Sequence, residues 1–379
     1  MHHPDDSLPT QPTASSAPAY GVHDLLPDII LKNQDELFVR ISIEMTGRKL
    51  LLLCCPDPRL PDCRVLLEAY ARQFSSLELE VHLFVITGTE PSVNIEFLKR
   101  TPLPFMLLSD SLGRVAQGLD IRRESGAATG PGACTVVLAD ENRRIVRIDR
   151  NVTEAGHPEH ILNELRTAPR IEPRQLSHFA PVLYLPRVLE RDLCETLIAA
   201  YDSGDTEVGR VFCHDATGGD HIVDRDSKIR KDFYLVDPAL QNTLILRLVR
   251  RVFPEIAKGL TRQVTGVEEF KVVCYDAEDG GHFAPHRDNN SKFKAHRRFA
   301  MTLNLNEGYA GGALRFPEFG PDLYAPAAGD AVIFSCSLLH EALPVTAGRR
   351  YVLLSFLFDE ESRQHSDRFR RPDPSPAPQ

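Results

Sequence analysis

Residues 329–359 read GDAVIFSCSLLHEALPVTAGRRYVLLSFLFD. Short β-type runs at 331–335, 340–343 and 351–358 are punctuated by glycine and proline, with His340 opening the second run and Arg350 leading into the third. The turn at 344–349 predicts a hairpin with His340 on one strand and Arg350 on its neighbour. Outward from this stretch, the runs at 270–275, 299–306 and 313–316 are also β-like, and helical periodicity is absent beyond residue 268. Before them, 190–201 and 237–260 carry apolar residues at helical spacing, after a short strand at 180–185. Helices followed by many short strands predict a mainly β domain, a double-stranded β-helix (jelly roll) braced by helices, over residues 179–362.

Within it stands His286-Arg287-Asp288. The pattern H-x-D alone says little, since His3 to Asp5 and His365 to Asp367 repeat it in tail-like sequence. In an extended segment, however, residues i and i+2 point the same way, so His286 and Asp288 can share one ion while Arg287 points elsewhere. An iron(II) oxygenase needs two imidazoles and one carboxylate on one face of the metal, and His340 is the candidate for the third ligand. Arg350 adds a cation able to pair bidentately with the far end of a dicarboxylic cosubstrate.

Tyr275, PHRDN (285–289), RRFAMTLNLN (297–306), GGALRFPEFG (311–320), AGDAVIFS (328–335) and HEALPVTAGRRY (340–351) follow in order. Residues 180–360 thereby resemble the iron(II)/2-oxoglutarate-dependent dioxygenases of the prolyl 4-hydroxylase type. The resemblance implies that His286, Asp288 and His340 hold Fe(II) and are the catalytic set, that Arg350 binds the distal carboxylate of 2-oxoglutarate, and that Tyr275 lies beside it. It further implies consumption of O2, release of succinate and CO2, hydroxylation of an unactivated C–H bond such as that of a prolyl residue, and ascorbate as reductant. Phe283 stands where many relatives have tyrosine, and Thr302 or Asn304 stands in for another tyrosine that holds the distal carboxylate. Strand parity places Thr302, Asn304 and Asn306 on one face and Met301, Leu303 and Leu305 on the other.

The first half alternates short apolar runs with helical stretches: strands at 50–55, 81–87, 105–108, 135–138 and 144–147, helices at 63–74, 93–99, 112–119 and 158–165. This predicts an α/β domain over 21–166, joined through a proline-containing linker at 167–178. Pro56, Leu60 and Cys63 follow the P-x3-T-x2-C spacing, so the domain resembles the peroxiredoxin branch of the thioredoxin fold. The resemblance puts Cys63 at the peroxide-attacking position, with Leu60 in place of threonine and Ala133 or Cys134 in place of the thiolate-stabilising arginine. Cys63 at the start of its helix is therefore a candidate redox residue, whereas Cys54 and Cys55, in mid-strand, belong to the core.

The composition is that of an ordinary globular chain, 42% hydrophobic and 26% charged, and the formal charge of -9 argues against nucleic acid as a partner. No apolar run approaches the ~20 residues of a membrane span, and eight cysteines without paired zinc spacing fit a reducing, cytoplasmic setting. Residues 1–20 and 363–379 have the composition of disordered tails. The polar segment 213–226 reads as a mobile excursion, a lid, and Lys228, Arg230 and Lys231 as a charge cluster at the pocket or at a solvated edge. Residues Lys292, Lys294, His296, Arg297 and Arg298 form a basic loop just after the His286–Asp288 motif, a candidate for binding a protein or peptide substrate. Two rival readings are a thiol peroxidase or redox sensor acting through Cys63, and a non-enzymatic two-domain adaptor. Oligomeric state leaves no mark on the sequence.

Overall fold

The computed structural model describes residues 19–45, 47–120, 134–169, 172–173, 175–176, 178–215, 218–291 and 294–364, with side chains at 211–221 excepted. The tail readings, part of the linker and Lys292 lie outside the described residues. Two compact units divide the chain between Pro173 and Arg174.

In the first unit Lys49–Cys55, Val81–Thr87 and Leu107–Ser109 form a parallel core, extended antiparallel by Cys134–Ala139 and Ile145–Val152 on one side. On the other side come Ile30–Asn33 and Phe38–Arg40, a hairpin whose mixed polar composition concealed it in the sequence. The run LLLLCC is buried on both faces because helices cover both. Leu51, Leu53 and Cys55 pack under Pro61–Leu77 and His157–Thr167, while Leu50, Leu52 and Cys54 face Leu26, Ile41 and Leu119. Such a helix-covered mixed sheet with a parallel centre is the α/β layer arrangement expected for this half.

Among the described residues the second unit carries two main sheets and two two-stranded ribbons. Its larger sheet runs Leu183–Leu185, Ala331–Ser335, Phe299–Asn304, Arg349–Phe358, Lys271–Asp276, Lys231–Tyr234, Glu207–Val208 in spatial order. The smaller runs Lys228–Ile229, His282–His286, His340–Ala342, Leu314–Arg315, Leu323–Tyr324. Alternation along Phe299–Asn304 decides which side does what: Met301 and Leu303, with Leu305, join the core under helices Arg191–Ser203, Pro238–Arg251 and Phe253–Leu260. The opposite side carries Ala300 and Thr302 to the cavity described below.

Two expectations need correction. The strand of His340 and the strand of Arg350 are not a hairpin pair, for Val345–Ala347 intervenes and crosses to Ala310–Gly311, so His340 belongs to the smaller sheet and Arg350 to the larger. A turn signal at Pro344 and Gly348 cannot distinguish reversal within a sheet from passage between sheets. The segment 213–226 is not one irregular excursion either: Val211–Asp215 pairs antiparallel with Gly218–Ile222. Ladder hydrogen bonds need only backbone, and a polar two-stranded ribbon leaves no apolar alternation to read. Among the described residues, no helix is long and apolar enough to cross a membrane.

Candidate metal centre and cosubstrate cavity

His286 ends the strand His282–His286, and His340 begins the antiparallel strand beside it, the two being direct partners. The register slips between Phe283 and His286, the kind of irregularity that re-aims a side chain. Beyond the strand, the Asp288 amide donates to the Cys336 carbonyl at 3.0 Å, fixing the carboxylate between the rings. Its Oδ1 lies 3.5 Å from His286 Nε2 and its Oδ2 3.3 Å from His340 Nε2. All three donor atoms fall within 4.8 Å of one another.

The tautomers follow from the outer partners. His286 Nδ1 is 2.8 Å from the Ala284 carbonyl and His340 Nδ1 is 3.0 Å from the Leu338 carbonyl. A carbonyl oxygen only accepts, so each Nδ1 carries the hydrogen and each neutral ring turns its Nε2 lone pair inward. Burial pushes His286 down and so disfavours a second proton on that ring. Three lone-pair donors thus converge, and a cation among them removes their mutual repulsion. Two imidazoles and a carboxylate fit iron(II), the donor set anticipated from the sequence. Phe283 stacks on the His286 ring with centroids 3.5 Å apart, and Phe334 meets His340 edge-on at 4.5 Å.

One cavity joins His286, Asp288 and His340 to Tyr275, Thr302 and Arg350. Arg350 is 2% exposed, its Nε donates to Asn304 Oδ1 at 3.2 Å, and its Nη2 has no hydrogen-bond partner among the described residues. A buried guanidinium with an unpaired N–H is costly unless an anion completes it, which is what a distal carboxylate would do. Tyr275 is Arg350's direct partner across the ladder, its ring 5.9 Å from the guanidinium carbon. Asn304 sits behind Arg350 rather than in the cavity lining, and it also accepts from Tyr309 at 3.1 Å. Thr302, by contrast, lines the cavity.

Tyr309 went unassigned in the sequence, whereas Lys228 and Arg230 were read there as a charge cluster at the pocket or at a solvated edge. Tyr309 buttresses Asn304. Arg230, clasped by Asp232 at 2.7 and 3.0 Å, donates to the Tyr275 hydroxyl at 3.1 Å. Lys228 is buried beside it, its amine donating to the Arg210 carbonyl at 2.8 Å. The i, i+2, i+4 spacing of Lys228, Arg230 and Asp232 was the available signal, and of the cluster only Lys231 lies at an exposed edge. Elsewhere, His282 is held by the Gly280 and Asp226 carbonyls, apart from the metal set. In the basic loop, His296 and Arg297 both reach Glu268, and Arg298 reaches Asp359.

In the first unit Cys63 occupies the first turn of Pro61–Leu77 with no solvent exposure. Its flanking arginines are engaged elsewhere, Arg59 with Asp57 and Arg64 with Glu68. Where the arginine of the peroxiredoxin pattern would stand, Cys134 brings its sulfur within 3.6 Å of Cys63 and 3.1 Å of Cys55. Cys55, a core residue by its position, is thus also part of a three-thiol cluster. Hydrogen bonds from Cys134 and Cys55 hold Cys63 down at about 4 against its burial.

Residues 270–358 match the family model of the 2OG-Fe(II) oxygenase superfamily, so this region carries an oxygenase domain of that superfamily. A multifunctional procollagen lysine hydroxylase and glycosyltransferase from Homo sapiens is 27% identical over 185 residues, 47% of this chain and 23% of the relative. The chain therefore spans less than a quarter of that curated relative. Among solved structures, a Pseudomonas putida prolyl-4-hydroxylase aligns with 52% of this chain and 96% of its own at 21% identity and a TM-score of 0.36. The peroxidoxin BcpB of Mycobacterium tuberculosis aligns with 39% of this chain and 98% of its own at 20% identity and a TM-score of 0.35.

Proposed function

We propose that the chain is an Fe(II)- and 2-oxoglutarate-dependent dioxygenase that hydroxylates an unactivated C–H bond, with residues 179–362 as its catalytic jelly-roll domain. The observation that carries this reading is the buried, incompletely paired Arg350 in one cavity with His286, Asp288 and His340. The two-sheet arrangement, with the metal set on the smaller sheet and Arg350 on the larger, supports the jelly-roll assignment.

Iron(II), 2-oxoglutarate and O2 together supply the oxidising chemistry, with succinate and CO2 as coproducts and ascorbate as the expected reductant. The chain supplies placement. His286, Asp288 and His340 would hold the metal with their outer nitrogens locked to backbone carbonyls, so the rings cannot turn away. Arg350 would clamp the distal carboxylate, with Asn304 fixing its Nε and Tyr275 and Thr302 bounding the cavity. Phe283, Phe334, Leu354 and Phe356 line the cavity as well and would keep bulk water from it.

The relatives named above are hydroxylases of lysine in procollagen and of proline, so a peptide side chain is the proposed target. The thiol-peroxidase reading has less support, because Cys63 has no exposed surface for a peroxide to meet.

Anaerobic loading with Fe(II) and 2-oxoglutarate, followed by O2 and assay of succinate, tests the proposal. Wild type should form succinate at a rate at least ~100-fold above His340→Ala, and Arg350→Ala should lose most turnover at micromolar 2-oxoglutarate. Equal succinate from wild type and His340→Ala would end the reading.

A further inference from the structure

Outside the cosubstrate cavity lies a larger one of about 550 Å³, which His286 and Asp288 also line. Its volume is that of a site for a small ligand or a short peptide segment. Seven lysine and arginine residues line it against three carboxylates. Two of the three are already committed: Asp232 to Arg230 through paired hydrogen bonds, and Asp288 to the metal set. Among the cations, Arg287 and Arg297 are matched by Glu318 and Glu268. Lys228 and Lys271 are not: among the described residues neither makes an ion pair. The Lys228 amine is 2.8 Å from the Arg210 carbonyl and 5.1 Å from the Phe283 ring centre, and Lys271 lies 4.5 Å from that of Tyr234. Lys228 is only 6% exposed, so its charge is carried at a real desolvation cost. Burial, with Arg230 beside it, pushes Lys228 down to about 7, so an anion placed against the amine draws out its full charge. The wall beside the metal set is therefore cationic beyond what its own carboxylates balance, in a chain whose formal net charge is -9.

We infer that the primary substrate presents carboxylate groups to this wall, and that Lys228 and Arg210 select for them while excluding amine-bearing substrates. This rests on the oxygenase reading for the identity of the inner site. Attraction of 2-oxoglutarate alone does not account for the arrangement, because neither Lys228 nor Arg210 borders the inner cavity, where Arg350 provides the anchor. Like-charge juxtaposition is an effective way of rejecting the wrong partner, and a positive wall rejects lysyl side chains and basic peptides. Carboxylate could come from acidic residues flanking the target in a peptide or from a free amino or organic acid. Both present the same chemistry to Lys228.

The test uses the full chain, loaded anaerobically with Fe(II) and 2-oxoglutarate, and two twelve-residue probes with a neutral fluorophore, (Gly-Asp-Pro-Glu)3 and (Gly-Lys-Pro-Lys)3. Anisotropy should show the acidic probe binding at least ~10-fold tighter than the basic one, with the preference falling as salt rises. Lys228→Met and Arg210→Glu should each weaken the acidic probe by about tenfold while 2-oxoglutarate affinity stays within about twofold. Arg210 is exposed, so its variant remains informative if the buried Lys228 variant fails to fold. Free glutamate at millimolar concentration displacing the probe would point to a small acid as the source, and resistance to it would point to a peptide. Equal or tighter binding of the basic probe, absence of acidic-probe binding, or acidic-probe binding unchanged in both variants would overturn the inference. Loss of Fe(II) or 2-oxoglutarate binding in wild type would instead strike at the oxygenase reading itself, so the two failures are distinguishable.

Discussion

At the scale of single residues, Asn304 and Cys63 make the sharpest cases. Asn304 does not line the cosubstrate cavity, yet its side-chain oxygen takes the Arg350 Nε and the Tyr309 hydroxyl. It therefore acts through Arg350. Asn304→Ala should raise the KM for 2-oxoglutarate by about tenfold, the equivalent of one lost hydrogen bond of ~1.4 kcal/mol, with kcat moving much less. Asn304→Asp should deepen the loss, because its carboxylate would pair with Arg350 and repel the distal carboxylate of the cosubstrate, and steady-state succinate assays over a range of cosubstrate separate KM from kcat. For Cys63 two effects compete, since the neighbouring thiols favour its thiolate while complete burial denies access. Access decides the rate: hydrogen peroxide or iodoacetamide should modify native Cys63 at least ~100-fold more slowly than free cysteine, and at an ordinary rate in denaturant. Rapid sulfenate formation in the native chain would restore the peroxidase reading. The convergence of His286, Asp288, His340 and Arg350 on one cavity was legible in the sequence because the proposed chemistry restricts residue type and spacing. The cluster of Cys55, Cys63 and Cys134 was not, because its members are 71 and 79 positions apart in the pairs that touch, and strand register together with the packing of helix Pro61–Leu77 brings them together.

Secondary-structure elements were legible wherever an apolar period existed. Leucine runs and helical stripes placed Lys49–Cys55, Val81–Thr87 and Pro61–Leu77 to within a few residues. Elements stabilised by backbone pairing alone, such as Val211–Asp215 with Gly218–Ile222, left no pattern. Sheet membership was equally hidden, which is why His340 and Arg350 were expected on one hairpin. Helix junctions are also fixed by polar contacts: Glu190, at the start of Arg191–Ser203, takes Arg251 at 2.7 Å and Arg247 at 3.1 Å from Pro238–Arg251. Burial would raise Glu190, but Arg251 and then Arg247 bring it down to about 2. A carboxyl depressed on folding stabilises fully above its unfolded value of ~4.3 and stops doing so as pH falls toward about 2. Glu190→Gln should accordingly cost about 1.5–3 kcal/mol at pH 7, read from urea midpoints, because the buried Arg251 loses its ion pair with Glu190. The difference from wild type should shrink steadily below pH 4. A constant difference down to pH 2 would mean that the pair contributes through shape rather than charge.

At the scale of the molecule, every residue assigned to the metal set, the cosubstrate cavity and the cationic wall belongs to the second unit. That unit also holds its own core, with Leu197, Leu244, Leu248, Val272, Leu303 and Leu353 among its fully buried members. The first unit encloses two separate cores of its own, one on each face of its sheet. Among the described residues each core cluster is made of its own unit's residues, so each piece should fold alone. A chain of residues 174–379 is therefore expected to melt cooperatively, to bind Fe(II) and 2-oxoglutarate with affinities within about threefold of the full chain, and to form succinate in the absence of primary substrate at a comparable basal rate. If the first unit sets redox response or presents the substrate, its removal should leave that basal rate intact and lower only substrate-stimulated turnover. Succinate assays on the two chains, with and without the acidic probe peptide, separate these cases. Equal stimulation in both chains would assign no catalytic role to the first unit, whereas loss of cosubstrate binding on truncation would show that the second unit's site depends on it.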